Sequence, residues 1–144
     1  DVMQSILRFA QSRLSVATVE QLALIPMLNN HKPYIEKIKK IYQSRRNTVV
    51  EGLKKIPGVT CIAPEGAYYI IPKLPIDDSD KFAEFLLTDF SDNNETIMVA
   101  PATGFYATEG LGKQEIRIAY VLEERKIERA IEILELAMTA YNKR

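Results

Sequence analysis

A chain of 144 residues in which 47% are hydrophobic and 26% are charged has the composition of a folded domain with one core. Its nineteen basic and nineteen acidic residues balance, which gives no reason to expect nucleic acid or an anionic membrane as a partner. No apolar run approaches the roughly 20 residues of a membrane-spanning helix. The single cysteine, Cys61, excludes an internal disulfide and predicts a reducing, cytoplasmic location.

The first part of the chain has helical periodicity in three blocks. Apolar residues at helical spacing predict a helix over residues 2–12. Thr18 opens a capping-box pattern, which predicts a second helix to about residue 29, with Pro26 as a kink or the end of its regular part. A long helix is predicted over residues 33–56, where Pro57-Gly58 stops it.

The later pattern alternates short β-rich runs with two more helices. The predicted strands are residues 59–63, 67–72, 96–100 and 115–121. Asp77 or Asp78 can cap a helix through Phe90, and the last helix is predicted from about Glu123 to Asn142. Helices followed by a small sheet that two more helices cover give an α+β fold class.

The last predicted strand carries the most informative side chain, Arg117. Because alternate residues of a strand point to opposite faces, Arg117 lies on the face opposite to Ile116, Ile118 and Tyr120. An unpaired guanidinium on a partly apolar face is costly, and its planar fork suits a carboxylate bidentately. That carboxylate is either an internal Asp or Glu, which makes Arg117 structural, or part of a ligand.

Other candidate sites are weaker. The glycines between residues 104 and 112 suggest a phosphate loop, but this loop leads into a strand and matches neither glycine-loop fingerprint, so a flexible surface turn is favoured. His31 is the only histidine, which excludes a histidine cluster for metal, and no metal site is predicted. Cys61 is interpreted as a small core residue.

Three segments, in this order, resemble the C-terminal part of the class I/II aminotransferases, the fold-type I pyridoxal-phosphate enzymes, and most closely the aspartate aminotransferase branch. The segments are residues 63–70, which begin Ala-Pro-Glu-Gly, residues 98–112 and residues 115–121. The resemblance implies a small, mainly antiparallel sheet covered by helices. It implies that residues 1–32 are linking helices from a large domain, and that residues 33–144 are the small domain with the long inter-domain helix.

For function, the resemblance implies that Arg117 binds the α-carboxylate of the substrate. The parent enzyme would be a homodimer that uses pyridoxal 5'-phosphate to move an amino group between an amino acid, aspartate in this branch, and a 2-oxo acid. The family's aldimine lysine usually follows a Ser/Thr-x-x-Lys pattern, and no Ser or Thr here has Lys three positions on. We therefore expect a fragment with no catalytic or cofactor-binding residue, no bound cofactor and no activity alone.

Some alternatives stay open. Arg13 either contacts the second carboxylate of a dicarboxylic substrate near a neighbouring subunit's active site or is an exposed surface residue, and it is left out of the predicted site. The chain could also be a non-catalytic α+β module that senses an amino acid through Arg117. A structural or dimerisation domain, with Arg117 in an internal salt bridge, is the third class. A Ser/Thr-x-x-Lys pattern upstream would favour the enzyme.

Overall fold

The computed structural model describes residues 2–12 and 15–144, and the chain divides into two compact units, residues 1–38 and residues 39–144. The division predicted after residue 32, between linking helices and a small domain, stays a prediction. Arg13 lies outside the described residues. No helix in the described ranges combines the length and the apolar character needed to cross a membrane.

The N-terminal part of the chain is helical, as its periodicity predicts. Helix α1 is Val2–Ser12, α2 is Thr18–Asn29 and α3 is Lys32–Lys55. Helix α2 continues through Pro26 to its end. Neither α1 nor α2 has a buried residue, and the large apolar side chains of both helices are exposed.

The start of α2 differs from the capping-box prediction. Thr18 is the first helical residue, and Ala17 occupies the cap position without a capping side chain. The amide Nε2 of Gln21 instead donates to the carbonyl oxygen of Val16 at 2.6 Å. The predicted helix is therefore confirmed, while its first turn is held from the residue before the cap.

The second unit is a small sheet with helices. In chain order after α3, its elements are β1 (Tyr69–Ile70), α4 (Ser79–Thr88), β2 (Ala100–Pro101), a 3₁₀ turn (Thr103–Phe105), β3 (Ile116–Ala119) and α5 (Glu124–Tyr141). The strands pair antiparallel in the order β1-β3-β2, so β3 is central. The predicted α+β class with a small antiparallel sheet covered by helices is confirmed.

The predicted strands are longer than the observed ones. Residues 59–63 do not form a strand, because only Thr60 pairs, in a single antiparallel bridge with Lys73. Residues 67–72 reduce to β1, since Ala67 has a left-handed φ of 59° and Pro72 has no N–H to donate. Residues 96–100 are replaced by the shorter β2, whose Pro101 lies in an edge strand, where prolines are tolerated.

The core of the second unit joins α3, α4, α5 and the sheet. Its buried side chains include Val49, Leu53, Ile70, Phe82, Leu86, Ile116, Tyr120, Ile131 and Leu134. Helices α3, α4 and α5 supply most of this set, each from apolar residues at helical spacing. Helix α4 starts at the predicted cap, since the Asp78 carboxylate accepts hydrogen bonds from the backbone N–H groups of Asp80 and Lys81 at 3.0 and 3.1 Å.

Candidate functional site

Arg117 lies on the outward face of the central strand. Ile116 and Tyr120 are buried and Ile118 is half-buried, whereas Arg117 is exposed. This alternation is the one predicted from the period of a strand. The sheet therefore presents the guanidinium on the face away from the core.

The register of the sheet places an aromatic ring beside this guanidinium. Ala100 is directly opposite Arg117 on one side, and its small side chain leaves room there. On the other side Tyr69 is opposite Ala119, which puts Tyr69 diagonally across from Arg117 on the same face. The Cζ atom of Arg117 is 5.4 Å from the centroid of the Tyr69 ring, within the range of a cation–π contact.

A second ring reaches Arg117 from the loop between β2 and β3. Phe105 ends the 3₁₀ turn, and the centroid of its ring is 4.7 Å from the Cζ atom of Arg117. Phe105 is half exposed, at 51%. The guanidinium thus has aromatic neighbours on two elements that are far apart in sequence.

No acid neutralises Arg117 among the residues that the structure describes. Within residues 2–12 and 15–144, neither an ion pair nor a hydrogen bond joins Arg117 to another side chain. The internal salt bridge that would make this residue purely structural has no partner in these ranges. Since no other described side chain takes its N–H donors, the guanidinium can bind one carboxylate bidentately.

The next residue of the loop, Tyr106, is directed to a carboxylate. Its hydroxyl donates a hydrogen bond to Oε2 of Glu115, and this bond, with a smaller contribution from burial, raises the pKa of Tyr106 above its usual value. Glu115 precedes Arg117 by two residues, so the strand alternation places the two side chains on one face. The nearest carboxylate along the chain is therefore occupied by a phenol.

The glycine-bearing loop is anchored at both ends rather than being the flexible turn that its composition predicts. Thr103 Oγ1 donates to Oδ2 of Asp80 at 2.8 Å, which ties the 3₁₀ turn to the first turn of α4. At the other end, the buried Ser79 donates from Oγ to the carbonyl oxygen of Gly112 at 3.1 Å. The backbones of Gly112 and Ala102 run so close that a Cβ on Gly112 would lie 2.7 Å from the Ala102 carbonyl.

The remaining candidates are structural in character. His31 contacts the carbonyl oxygen of Leu28 through Nδ1 at 2.6 Å, at the junction of α2 and α3. Cys61 is half-buried against the core, and burial raises the pKa of its thiol, which disfavours a reactive thiolate. In the part of the chain that is described, no group of three or more His, Cys, Asp or Glu side chains has the arrangement to hold a metal ion.

The sequence identified Arg117 but missed Tyr69 as its neighbour. Tyr69 lies in the segment that carries the family resemblance, yet nothing in its own pattern shows which residue of β3 it faces. Only the strand register, in which Tyr69 is opposite Ala119, shows that Tyr69 lies beside Arg117. Phe105, from the glycine-bearing loop, is also in contact with the guanidinium.

Comparisons with known proteins show the family of this chain. A family model described as aminotransferase class I and II matches residues 1–134. The curated aspartate aminotransferase of Pyrococcus horikoshii is 32% identical over 128 residues, which cover 86% of this chain and 31% of that protein. The chain spans about a third of the length of the curated relatives it matches.

Solved structures show the same relationship. Alanine aminotransferase from Pyrococcus furiosus matches with a TM-score of 0.70 and 26% identity, over 96% of this chain and 34% of that one. Kynurenine aminotransferase from Pyrococcus horikoshii, solved in complex with PMP, matches with a TM-score of 0.64 and 27% identity, over 76% of this chain and 26% of that one.

Proposed function

Because the chain belongs to the class I and II aminotransferase family, we propose that it is the substrate-carboxylate-binding part of a pyridoxal-phosphate-dependent aminotransferase. Arg117 holds the α-carboxylate of the substrate. The single observation that carries the proposal is an exposed guanidinium on the central strand, with aromatic neighbours and no acid partner in residues 2–12 and 15–144. The named relatives suggest aspartate as the amino donor, and a homodimer stays a prediction.

The proposed role suits both halves of an amino-group transfer. An amino acid and a 2-oxo acid share an α-carboxylate, so one guanidinium can bind either of them. A bidentate contact fixes the plane of that carboxylate as well as its place. The α-carbon next to it is thereby oriented, and orientation of the reacting group is a main source of rate.

The residues of this chain do not by themselves fit the cofactor. When bound, pyridoxal phosphate supplies an electron sink for chemistry at the α-carbon. Backbone N–H groups at the start of a helix are a common phosphate cradle. Here the glycine-bearing loop leads into β3, and the Gly112 carbonyl is bonded to Ser79. With no Ser/Thr-x-x-Lys pattern either, the proposal assigns cofactor binding and proton transfer to residues outside this chain.

The test is substitution of Arg117 in the complete enzyme that carries this chain. Hydrogen bonds to charged groups contribute about 1.5–3 kcal/mol each, so Arg117→Ala should lower kcat/KM for amino and oxo acids by more than about tenfold. Arg117→Lys keeps the charge but loses the planar fork, and it should recover only part of the activity. Cofactor loading, followed by absorbance, should stay nearly intact in both variants.

Matched controls separate binding from stability. Arg125→Ala removes an exposed arginine from α5 and should leave kcat/KM unchanged. A structural role for Arg117 predicts a lower melting temperature with near-normal kinetics in the folded fraction. If the Arg117→Ala enzyme keeps its kcat/KM, the proposed role of this residue is wrong.

A further inference from the structure

Two residues of the loop between β2 and β3 make contacts at the Arg117 site: Phe105 contacts the guanidinium, and Tyr106 binds the neighbouring carboxylate of Glu115. We propose that Phe105 and Tyr106 are positioning residues: Phe105 holds the Arg117 guanidinium in place, and Tyr106 keeps Glu115 from pairing with it. This proposal rests on the proposed function. It adds the reason why an exposed arginine beside an acid stays available to a substrate.

Phe105 acts on the freedom of the guanidinium. An arginine side chain in water samples many rotamers, and ordering it on binding costs entropy. The Phe105 ring, 4.7 Å from Cζ, restricts this sampling before the substrate arrives. No other described side chain takes the N–H donors of this guanidinium, so they remain for a carboxylate.

Tyr106 acts on the competing charge. The backbone of Glu115 is fixed at the base of the loop, where its N–H donates to the carbonyl oxygen of Gly112 at 2.9 Å and its carbonyl accepts from Ala102 at 3.0 Å. With the backbone fixed two residues from Arg117, only the side-chain rotamer decides which cation or donor the carboxylate meets. The Tyr106 hydroxyl donates a hydrogen bond to one oxygen of this carboxylate. This bond favours the rotamer of Glu115 that does not form an ion pair with Arg117.

The loop presents these two residues together. Phe105 and Tyr106 donate from their backbone N–H groups to Ala102 and Thr103 at 3.0 and 3.4 Å, which closes the 3₁₀ turn. Thr103 is in turn tied to Asp80 of α4. The backbone that carries Phe105 and Tyr106 is therefore held in a fixed position relative to the sheet, as positioning residues require.

The experiment measures steady-state kinetics of the complete enzyme with four variants. Phe105→Leu should raise KM for the amino acid about two- to fivefold with little change in kcat, the loss expected for an exposed cation–π contact. Phe105→Tyr should restore it. Tyr106→Phe should raise KM by a similar factor, and adding Glu115→Gln in that background should bring KM back to within about twofold of the unsubstituted enzyme, since the competing charge is gone.

A second readout needs no activity. In the complete enzyme without substrate, the ¹⁵N heteronuclear NOE of the Arg117 Nε–Hε group should fall in Phe105→Leu and stay high in Phe105→Tyr, because this NOE reports fast side-chain motion. Leu111→Ala is the matched control, an apolar side chain of the same loop that is 49% exposed. It should change neither KM nor the NOE.

The outcomes distinguish this inference from the proposed function. If Arg117→Ala weakens substrate binding but the Phe105 and Tyr106 variants keep their KM, only the positioning inference is overturned. If Arg117→Ala itself leaves kcat/KM unchanged, the proposed function fails first. A Tyr106→Phe defect that Glu115→Gln does not relieve would overturn the role assigned to Tyr106, since a loss of loop structure would persist in the double variant.

Discussion

Gly112 is the position at which one methyl group should disturb the site most. Its φ is +78°, in the left-handed region, and a side chain there costs about 1–2 kcal/mol. A Cβ would also lie 2.7 Å from the carbonyl carbon and oxygen of Ala102 and 2.8 Å from the nitrogen of Thr103. These are backbone atoms, so no side-chain rotation relieves the contact.

The two costs add to a large effect on stability. Forcing extra volume into a well-packed place costs about 1–3 kcal/mol. Together with the conformational term, Gly112→Ala should lower the free energy of unfolding by about 2–5 kcal/mol. A domain is stable by about 5–15 kcal/mol in total. The variant should therefore be folded but clearly weakened, with the loop base displaced.

Gly110 provides a matched control in the same loop. Its φ is +87°, but no atom lies within 4 Å of the Cβ it would carry, so Gly110→Ala should cost only about 1–2 kcal/mol. Urea unfolding of both variants, at unchanged m-value, gives by linear extrapolation how much each lowers the free energy of unfolding relative to the unsubstituted protein. Equal destabilisation of the two variants would refute the argument that the close approach to Ala102 fixes the base of the loop.

Two further predictions concern the helices. A Cβ on Gly52 of α3 would lie 2.5 Å from Cδ1 of Ile131, so Gly52→Ala should destabilise by about 1 kcal/mol despite its better helix propensity. Ile131→Val removes that atom, and urea unfolding should show the double variant to be more stable than the sum of the single ones. Burial and the hydrogen bond to Asp77 raise the pKa of Tyr141 to about 12. Because the unfolded phenol ionises near pH 10, stability should fall between about pH 10 and 12, and Tyr141→Phe should flatten that fall in unfolding measured against pH; an unchanged slope would contradict this.

What the sequence predicted well are the features that depend on local periodicity. The side chains of β3 alternate as expected, because burial of Ile116 and Tyr120 leaves Arg117 only the outer face. The helix boundaries follow from apolar stripes and from caps such as Asp78. The strands were overestimated, since β-branched composition at residues 59–63 does not show whether a neighbouring strand is there to pair.

What the sequence could not supply is the environment of Arg117. The sequence of β3 by itself is consistent with an internal salt bridge of Arg117. Glu115, two residues away on the same face, is an obvious candidate partner. Whether Glu115 pairs with Arg117 depends on the path of the loop between β2 and β3. That path is set by contacts between residues that are distant in the chain, Ser79 with Gly112 and Thr103 with Asp80.

The same contacts explain why this loop is anchored although its glycines predict a flexible turn. Glycine content alone indicates conformational freedom. At Gly112, however, glycine is needed because the Ala102 backbone lies too close for a side chain. Closing that base brings the 3₁₀ turn over β3, where Phe105 meets the guanidinium and Tyr106 meets the acid. The carboxylate binding proposed for Arg117 therefore depends on the loop as much as on the strand, and under that proposal Gly112→Ala should alter substrate binding through Phe105 and Tyr106 together.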